Sequence, residues 1–288
     1  MSATLACMAG ESIYKLVESG QLKARAAGAR KTPFGAHQPI FLIEAQTPYY
    51  LLLRRSEAGR AVTAGQVNWR ANLYTLKDLG VQAVLSWSAA GSITHNLSIG
   101  QVVIPDDMLD MTHQRSLTFF EDSDLGLLRQ FPVFCPALRQ AMLDVLDAMN
   151  IETHFGGTVA VMEGPRLETP AEVRMLAAIG AELVSHSLAP EVFLARELQM
   201  CFAGACYLVN YAETGSRHRP FSTGDLFGGL APANQAERLA RMTNRLPDLL
   251  EKLAERTRQF KGCECARSMS PHIESGQLPA DWRDWFGA

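Results

Sequence analysis

The stretch VMEGPRLETPAEVRMLAAIGAELVSHSLAPEVFL, residues 161–194, decides the fold. It reads as strand, loop, helix, strand, loop, helix. The apolar run at 159–162 is stopped by Gly164-Pro165, which ends a strand. Thr169 can cap the next helix, with Pro170 at its first position, and Glu172, three residues after the cap, completes a capping box. Val173, Leu176 and Ala177 then recur at helical spacing, and Gly180 ends the helix. The loop 163–168 therefore lies between a strand end and a helix start, where open α/β sheets present ligand-binding groups. The loop 185–190 has the same placement, so the two can form one site.

Around this stretch the chain alternates strand and helix. The sequence predicts strands at 4–8, 40–45, 49–53, 81–87, 102–104 and 200–210, the second and third joined as a hairpin around Thr47-Pro48. Trp69, Leu73, Leu76 and Leu79 mark one helix, and Leu138, Met142, Val145 and Met149 another that opens at Pro136. Asn234 and Glu237 read as a second capping box, starting a helix with Leu239, Met242, Leu246, Leu250 and Leu253 inward. The first strand ends at Ala9-Gly10-Glu11-Ser12, the segment after it, with Lys23, Arg25, Arg30 and Lys31, reads as a polar connector, 109–134 as irregular, and 213–229 as a long Gly-rich loop of functional length. This pattern predicts an α/β fold in three layers, a central mixed sheet flanked by helices. The expected division is one domain over 1–260 and a C-terminal extension over 261–288. Trp282, Trp285 and Phe286 in the extension could dock on the body, on a neighbouring subunit, or stay loose.

With 288 residues and 47% hydrophobic content the chain can bury a substantial core. A net charge of −3 gives no reason to expect nucleic acid or an anionic membrane as partner. No apolar run is long enough to span a bilayer and the N-terminus lacks a signal-peptide pattern. Six dispersed cysteines suit a reducing cytoplasm better than a disulfide scaffold, with Cys7, Cys201 and Cys206 read as buried thiols. Cys263-Glu264-Cys265 is a spacing open to metal or redox chemistry, but the sequence shows no companion His or Cys cluster, so no metal is expected.

EGPRLETPAE at 163–172 and GAELVSHSLAPEVFLARE at 180–197 resemble the trimeric purine nucleoside phosphorylase family, which includes the methylthioadenosine and methylthioinosine phosphorylases. Thr32-Pro33-Phe34-Gly35, Val67-Asn68-Trp69-Arg70-Ala71-Asn72 and Ser88-Ala89-Ala90-Gly91-Ser92 look like further family motifs in family order, and the resemblance covers roughly 1–258. It implies phosphorolysis of a purine nucleoside or its 5′-methylthio analogue, a homotrimer, and no cofactor beyond inorganic phosphate as co-substrate.

At the purine end, the resemblance places Glu168 and Asn210 where the 6-oxopurine branch carries Glu and Asn. A carboxylate only accepts, so it suits the N1–H of such a base, while an amide can donate to N7 or O6 as the leaving base gains negative charge. At the phosphate end, Arg54 looks like the family arginine, Ser88 and Ala89 sit where relatives offer a hydroxyl and a backbone amide, and Ser187 matches a family Ser or Thr. Ala90, Gly91 and Leu167 fall in the substrate pocket by the same resemblance, and Gln235 falls near the ribose 5′ end. The departures are concentrated on the anion. Ala9-Gly10-Glu11-Ser12 replaces a Gly-rich loop, putting a carboxylate at Glu11 with Ser12 as the available hydroxyl. Arg55 stands where relatives have His, and a downstream His is replaced by Arg60 or lost. His186 stands where relatives place a Met under the ribose, and reads as a hydrogen-bonded core or rim histidine rather than a catalytic base. These departures leave open a second class, a binding protein that holds a flat aromatic ligand in the purine pocket.

Overall fold

The computed structural model describes residues 3–54, 56–57, 60–215, 218, 220, 224, 228–258 and 262–286, without the side chains of 11, 12, 56, 57, 60 and 61. In chain order the elements are β1 (Leu5–Ala9), α1 (Glu11–Glu18), β2 (Ala24–Ala26), β3 (Ile40–Ile43), β4 (Tyr49–Leu53), β5 (Ser56–Glu57), β6 (Arg60–Ala61), α2 (Trp69–Asp78), β7 (Ala83–Ser92), β8 (Val102–Ile104) and β9 (Asp107–Met111). There follow α3 (Pro136–Ala148), β10 (Thr153–Phe155), β11 (Thr158–Met162), α4 (Pro170–Ala178), β12 (Leu183–Ser185), α5 (Glu191–Glu197), β13 (Cys201–Tyr211), α6 (Gln235–Thr257) and α7 (Ser270–Glu274).

One mixed sheet runs β10-β8-β13-β7-β1-β4-β3-β2, with β12, β11 and β9 branching from β7. Its two faces bury different helices. Side chains alternate along a strand, so Ala6 and Met8 of β1 join a core with Trp69, Leu73 and Leu76 of α2 and Val192 and Leu194 of α5. Leu5, Cys7 and Ala9 join a second core with Ile13 and Leu16 of α1, Leu138, Met142 and Val145 of α3, and Met242, Leu246 and Leu253 of α6. These are the three layers expected from the alternation of elements.

The capping box of α4 forms as read: Thr169 Oγ1 accepts from the Glu172 amide at 3.3 Å, and Glu172 Oε2 accepts from the Thr169 amide at 2.7 Å. Hydrogen bonds from Arg166 and then from Thr169 hold the exposed Glu172 carboxyl down to about 2. Asn234 does precede α6, but its side chain makes no cap bond, so the second capping box is not built. Three segments differ from the sequence reading. Residues 11–18, read as a turn and the start of a polar connector, form α1, the irregular segment begins inside β9, and the strand read as ending at Trp87 continues to Ser92. The last two follow from long-range pairing: β9 is built by β11, and the end of β7 by β13 and β12.

The tail docks on the body. Met269, Leu278, Trp285 and Phe286 are buried. The Phe286 ring lies 5.0 Å from Phe119 and 5.4 Å from Phe34, and Trp282 packs edge-on to Tyr74 of α2. Cys263 and Cys265, read as isolated, are joined by Cys135 and Cys201, so the companions missing from the local sequence come from α3 and β13.

Arg115, inside the segment read as irregular, positions the loops after β11 and β12. Its Nε donates to Glu163 Oε1 at 3.1 Å, Nη1 to the His186 and Ala189 carbonyls, and Nη2 to the Met162 and Glu163 carbonyls. All five guanidinium donors are used. Burial pushes the Glu163 carboxyl up, but the amides of His113 and Gln114 and then the Arg115 guanidinium outweigh it and hold it below the usual carboxylate range. Nearby, buried Glu197 accepts from Thr118 Oγ1 at 2.6 Å and the Phe119 amide at 2.7 Å, tying down the far end of the same segment.

Arg115→Ala leaves these carbonyls and the Glu163 carboxylate without their donor. It is expected to destabilise the protein by about 3 kcal/mol or more in urea unfolding; a loss under about 1 kcal/mol contradicts the clamp. Burial pushes the Glu197 carboxyl from 4.5 up to about 7, against its two hydrogen bonds. Because the folded value is raised, its stabilising contribution is full below pH 4.5 and disappears as pH rises through about 7. Glu197→Gln cannot titrate. The stability of the parent relative to this variant should therefore fall by about 3 kcal/mol across that window, and parallel pH profiles would exclude the assignment.

Candidate active site

The site residues sit at the C-terminal ends of strands, where open α/β sheets place ligands. Gly10 follows β1, Arg54 follows β4, Ser88 lies in the second half of β7, Glu168 follows β11, His186 and Ser187 follow β12, and Asn210 is near the end of β13. All of them line one cleft of about 480 Å³.

The cleft exists because the sheet forks. β7 pairs with β1 from Ala83 to Ser86 and meets β12 only at Gly91 and Ser92. Residues 87–90 occupy the gap, and Ala89 is exposed there between buried neighbours. Ser185 Oγ crosses the gap to the Ala89 carbonyl at 3.0 Å. On the other edge of β7, β13 carries an irregularity: Leu208 pairs with Ala90, and Asn210, not Val209, pairs with Gly91. Such a bulge re-aims a side chain, and Asn210 enters the cleft with its Nδ2 donating to the Tyr211 carbonyl at 3.0 Å. Gly91 makes room: a Cβ there would stand 3.4 Å from Asn210 Oδ1 and 3.2 Å from Val184.

Arg54 lines the cleft as a buried side chain. Its Nη2 donates to the Met8 carbonyl at 2.6 Å and to Ser86 Oγ at 2.9 Å, and Nη1 to Ser88 Oγ at 2.9 Å. The fully buried Glu191 of α5 lies 3.7 Å from Nε and fixes the guanidinium electrostatically. Nη1 has a second N–H, which leaves a donor for a ligand. Gly10, Ser88, Ala89 and Ser187 share this cleft with it.

Glu168, His186 and Leu167 line the same cleft, as do Asn210, Val184 and Pro165. His186 Nε2 and Glu168 Oε1 are 3.1 Å apart, which fits the hydrogen-bonded histidine read from the sequence. The His186 ring rests on the bare backbone of Gly164, where an added Cβ would come within 2.9 Å of Nδ1.

The structure thus brings together Arg54, Ser88, Ala89, Ala90, Gly91, Leu167, Glu168, His186, Ser187 and Asn210. Gln235 is not among the lining residues; its amide donates to the Val209 carbonyl from the start of α6. Arg55 and the side chains of Ser12, Glu11 and Arg60 lie outside the described residues. Sequence reasoning passed over Glu191, although it stands in the quoted stretch, and Arg115, for which no local signal exists.

A family profile described as Phosphorylase superfamily matches residues 27–253. A probable 6-oxopurine nucleoside phosphorylase of Thermococcus kodakarensis is 33% identical over 242 residues, covering 82% of this chain and 86% of that protein. A probable S-methyl-5′-thioinosine phosphorylase of Methanothermobacter thermautotrophicus is 34% identical over 205 residues, covering 71% of this chain and 70% of its own. Among solved structures, a methylthioadenosine phosphorylase sourced from an Antarctic soil metagenomic library superposes with a TM-score of 0.81 at 25% identity, over 94% of this chain and 92% of that one. A strand-end cleft of this composition, a profile match over most of the length and near full-length relatives at one-third identity lead to one conclusion: this chain belongs to the phosphorylase superfamily.

Proposed function

We infer that this protein cleaves a purine nucleoside or a 5′-methylthio purine nucleoside with phosphate, releasing the free base and (methylthio)ribose 1-phosphate, and that it prefers a 6-oxopurine. The observation that carries this reading is one cleft lined by Arg54 and Ser88 together with Glu168 and Asn210. Its size falls in the usual range for small-molecule sites, roughly 300–1,000 Å³.

Phosphate binds the free N–H of Arg54, the hydroxyls of Ser88 and Ser187 and the backbone amide of Ala89, with Ser12 and Arg55 as further candidates from the family resemblance. The purine lies beside Leu167, with Ala90 and Gly91 small enough to admit it. His186 engages one oxygen of Glu168, leaving the other to accept N1–H. As the glycosidic bond lengthens, the ribose gains oxocarbenium character and the base gains negative charge. Phosphate on the opposite face stabilises the cation and then captures it. Asn210, donating to N7 or O6, strengthens its bond as that charge grows, so it stabilises the transition state more than the ground state. No metal or redox cofactor takes part in this scheme. The neutral Gln235 amide donates to the carbonyl of Val209, which lines the cleft; with the 5′ end assigned here by the family resemblance, a neutral 5′ substituent is the better fit. A homotrimer and a cytoplasmic setting complete the proposal and rest on the family resemblance and the cysteine pattern.

The decisive assay measures phosphate-dependent release of base from inosine, 5′-methylthioinosine and 5′-methylthioadenosine. Turnover of the 6-oxopurine substrates at higher kcat/KM than methylthioadenosine is expected. Purine binding without turnover of any of the three would instead point to a protein that only holds a flat aromatic ligand. Glu168→Ala removes a buried acceptor and should lower 6-oxopurine kcat/KM by about 10- to 100-fold, equivalent to about 1–3 kcal/mol, with little effect on the adenine substrate. Full retained activity removes Glu168 from the site. Gly164→Ala adds a Cβ at φ +72°, within 2.9 Å of His186 Nδ1. It should raise KM for 6-oxopurine nucleosides several-fold, by about 1 kcal/mol, through displaced His186 and Glu168; an unchanged KM excludes that coupling.

A further inference from the structure

Away from the cleft, four thiols meet under the C-terminal extension. The Sγ atoms of Cys135, Cys201, Cys263 and Cys265 all lie within 4.8 Å of one another, with Cys201 and Cys263 at 3.3 Å. Cys135 and Cys201 are buried; Cys263 and Cys265 are partly buried. These four come from three places: the N-cap of α3, the first residue of β13, and the Cys-x-Cys at the start of the extension. The mechanism uses none of them.

We propose that Cys135, Cys201, Cys263 and Cys265 form a structural tetrathiolate site for a thiophilic divalent cation, zinc, which fastens the C-terminal extension to the body.

The geometry suits a metal. Zinc–thiolate bonds of about 2.3 Å in a tetrahedron put sulfurs about 3.8 Å apart, and here each sulfur has the other three as close neighbours. Two-by-two disulfide pairing asks only that each sulfur approach one partner. A four-sulfur donor set without oxygen or nitrogen selects zinc over harder cations. The surroundings suit the charge. Binding converts four thiols to four thiolates, releases four protons, and leaves a complex of net charge −2. Cys135 caps α3, whose positive end faces it, and the Leu138 amide donates to its Sγ at 3.5 Å. The Arg196 side chain lines the same cavity, held by the carbonyls of Arg129, Pro132 and Val133, and supplies a fixed positive charge beside the cluster.

The consequence lies in the tail. Cys263 and Cys265 precede the segment that buries Met269, Leu278, Trp285 and Phe286 in the main core. Closing the loop between residues 201 and 263 through a metal lowers the entropy cost of docking that segment.

The test uses the full chain purified under a non-chelating reductant from zinc-supplied cells. Elemental analysis should find one zinc per chain. Cobalt(II) added to the metal-free protein should produce thiolate charge-transfer and tetrahedral d–d absorption. Cys263→Ser and Cys265→Ser should each lose metal, whereas Cys206→Ala, which alters a buried thiol outside the cluster, should keep it. Removing zinc should sensitise the segment after residue 261 to protease at unchanged fold by circular dichroism. A reduced, folded parent without stoichiometric zinc and without the cobalt bands overturns the proposal. So does an intact mass showing the four cysteines joined in disulfides, which would make them a covalent staple instead. Neither outcome touches the phosphorolysis assay, which reads a separate cavity.

Discussion

The side chain of Arg115 is closed off from solvent, and its five N–H donors all end on groups of the two loops that follow β11 and β12. An isolated buried cation costs several kcal/mol, so such a group persists only when its donors are fully met. Saturation also has a geometric effect. A planar fork fixed at five points leaves neither loop free to shift without breaking bonds in the other. Glu168 and His186 stand on these two loops, and their 3.1 Å contact depends on the relative placement that Arg115 sets. With every donor spent inside the protein, the guanidinium determines where Glu168 and His186 stand in the cleft.

Arg54 shows the opposite use of the same side chain. It too is buried, but it bonds to backbone carbonyls and two serine hydroxyls where Arg115 meets carbonyls and a carboxylate. Its donors are not exhausted, and it opens onto the cleft. A sequence cannot tell a saturated arginine from one with a donor to spare, because the difference lies in acceptors distant along the chain. The acceptors of Arg54 come from β1 and the middle of β7; those of Arg115 come from residues about 50 and 70 positions onward.

That distinction describes what was legible beforehand. Features carried by neighbours in sequence were read correctly: the Thr169–Glu172 capping box, Pro136 at the start of α3, the hairpin of β3 and β4, and the layered alternation. The family resemblance located most cleft residues because its motifs span the strand ends. Features created by folding were not visible. The second half of β7 lacks a strand-like composition and is extended because β13 and β12 pair with it. α1 was missed because Gly10 offers no side-chain cap and the helix is short. Asn234 failed in the other direction: the residues of a capping box are present, but its side chain does not make the bond. The four-cysteine cluster was hidden for the same reason as Arg115, since Cys135 and Cys201 lie far from Cys263 in sequence.

The Arg54–Glu191 pair bears on how an anion is recognised. A fully buried carboxylate 3.7 Å from Nε offsets much of the guanidinium charge, in surroundings where water screens little. Under the proposed reading, an arriving phosphate therefore meets less net positive charge than a lone arginine would present. What remains is directional: one N–H, the hydroxyls of Ser88 and Ser187, and the backbone edge of β7 exposed at the fork. Recognition by directed donors holds an anion in a defined orientation rather than merely attracting it. In-line attack on a ribose requires such orientation, and it depends on the placement of donors more than on the total charge of the site.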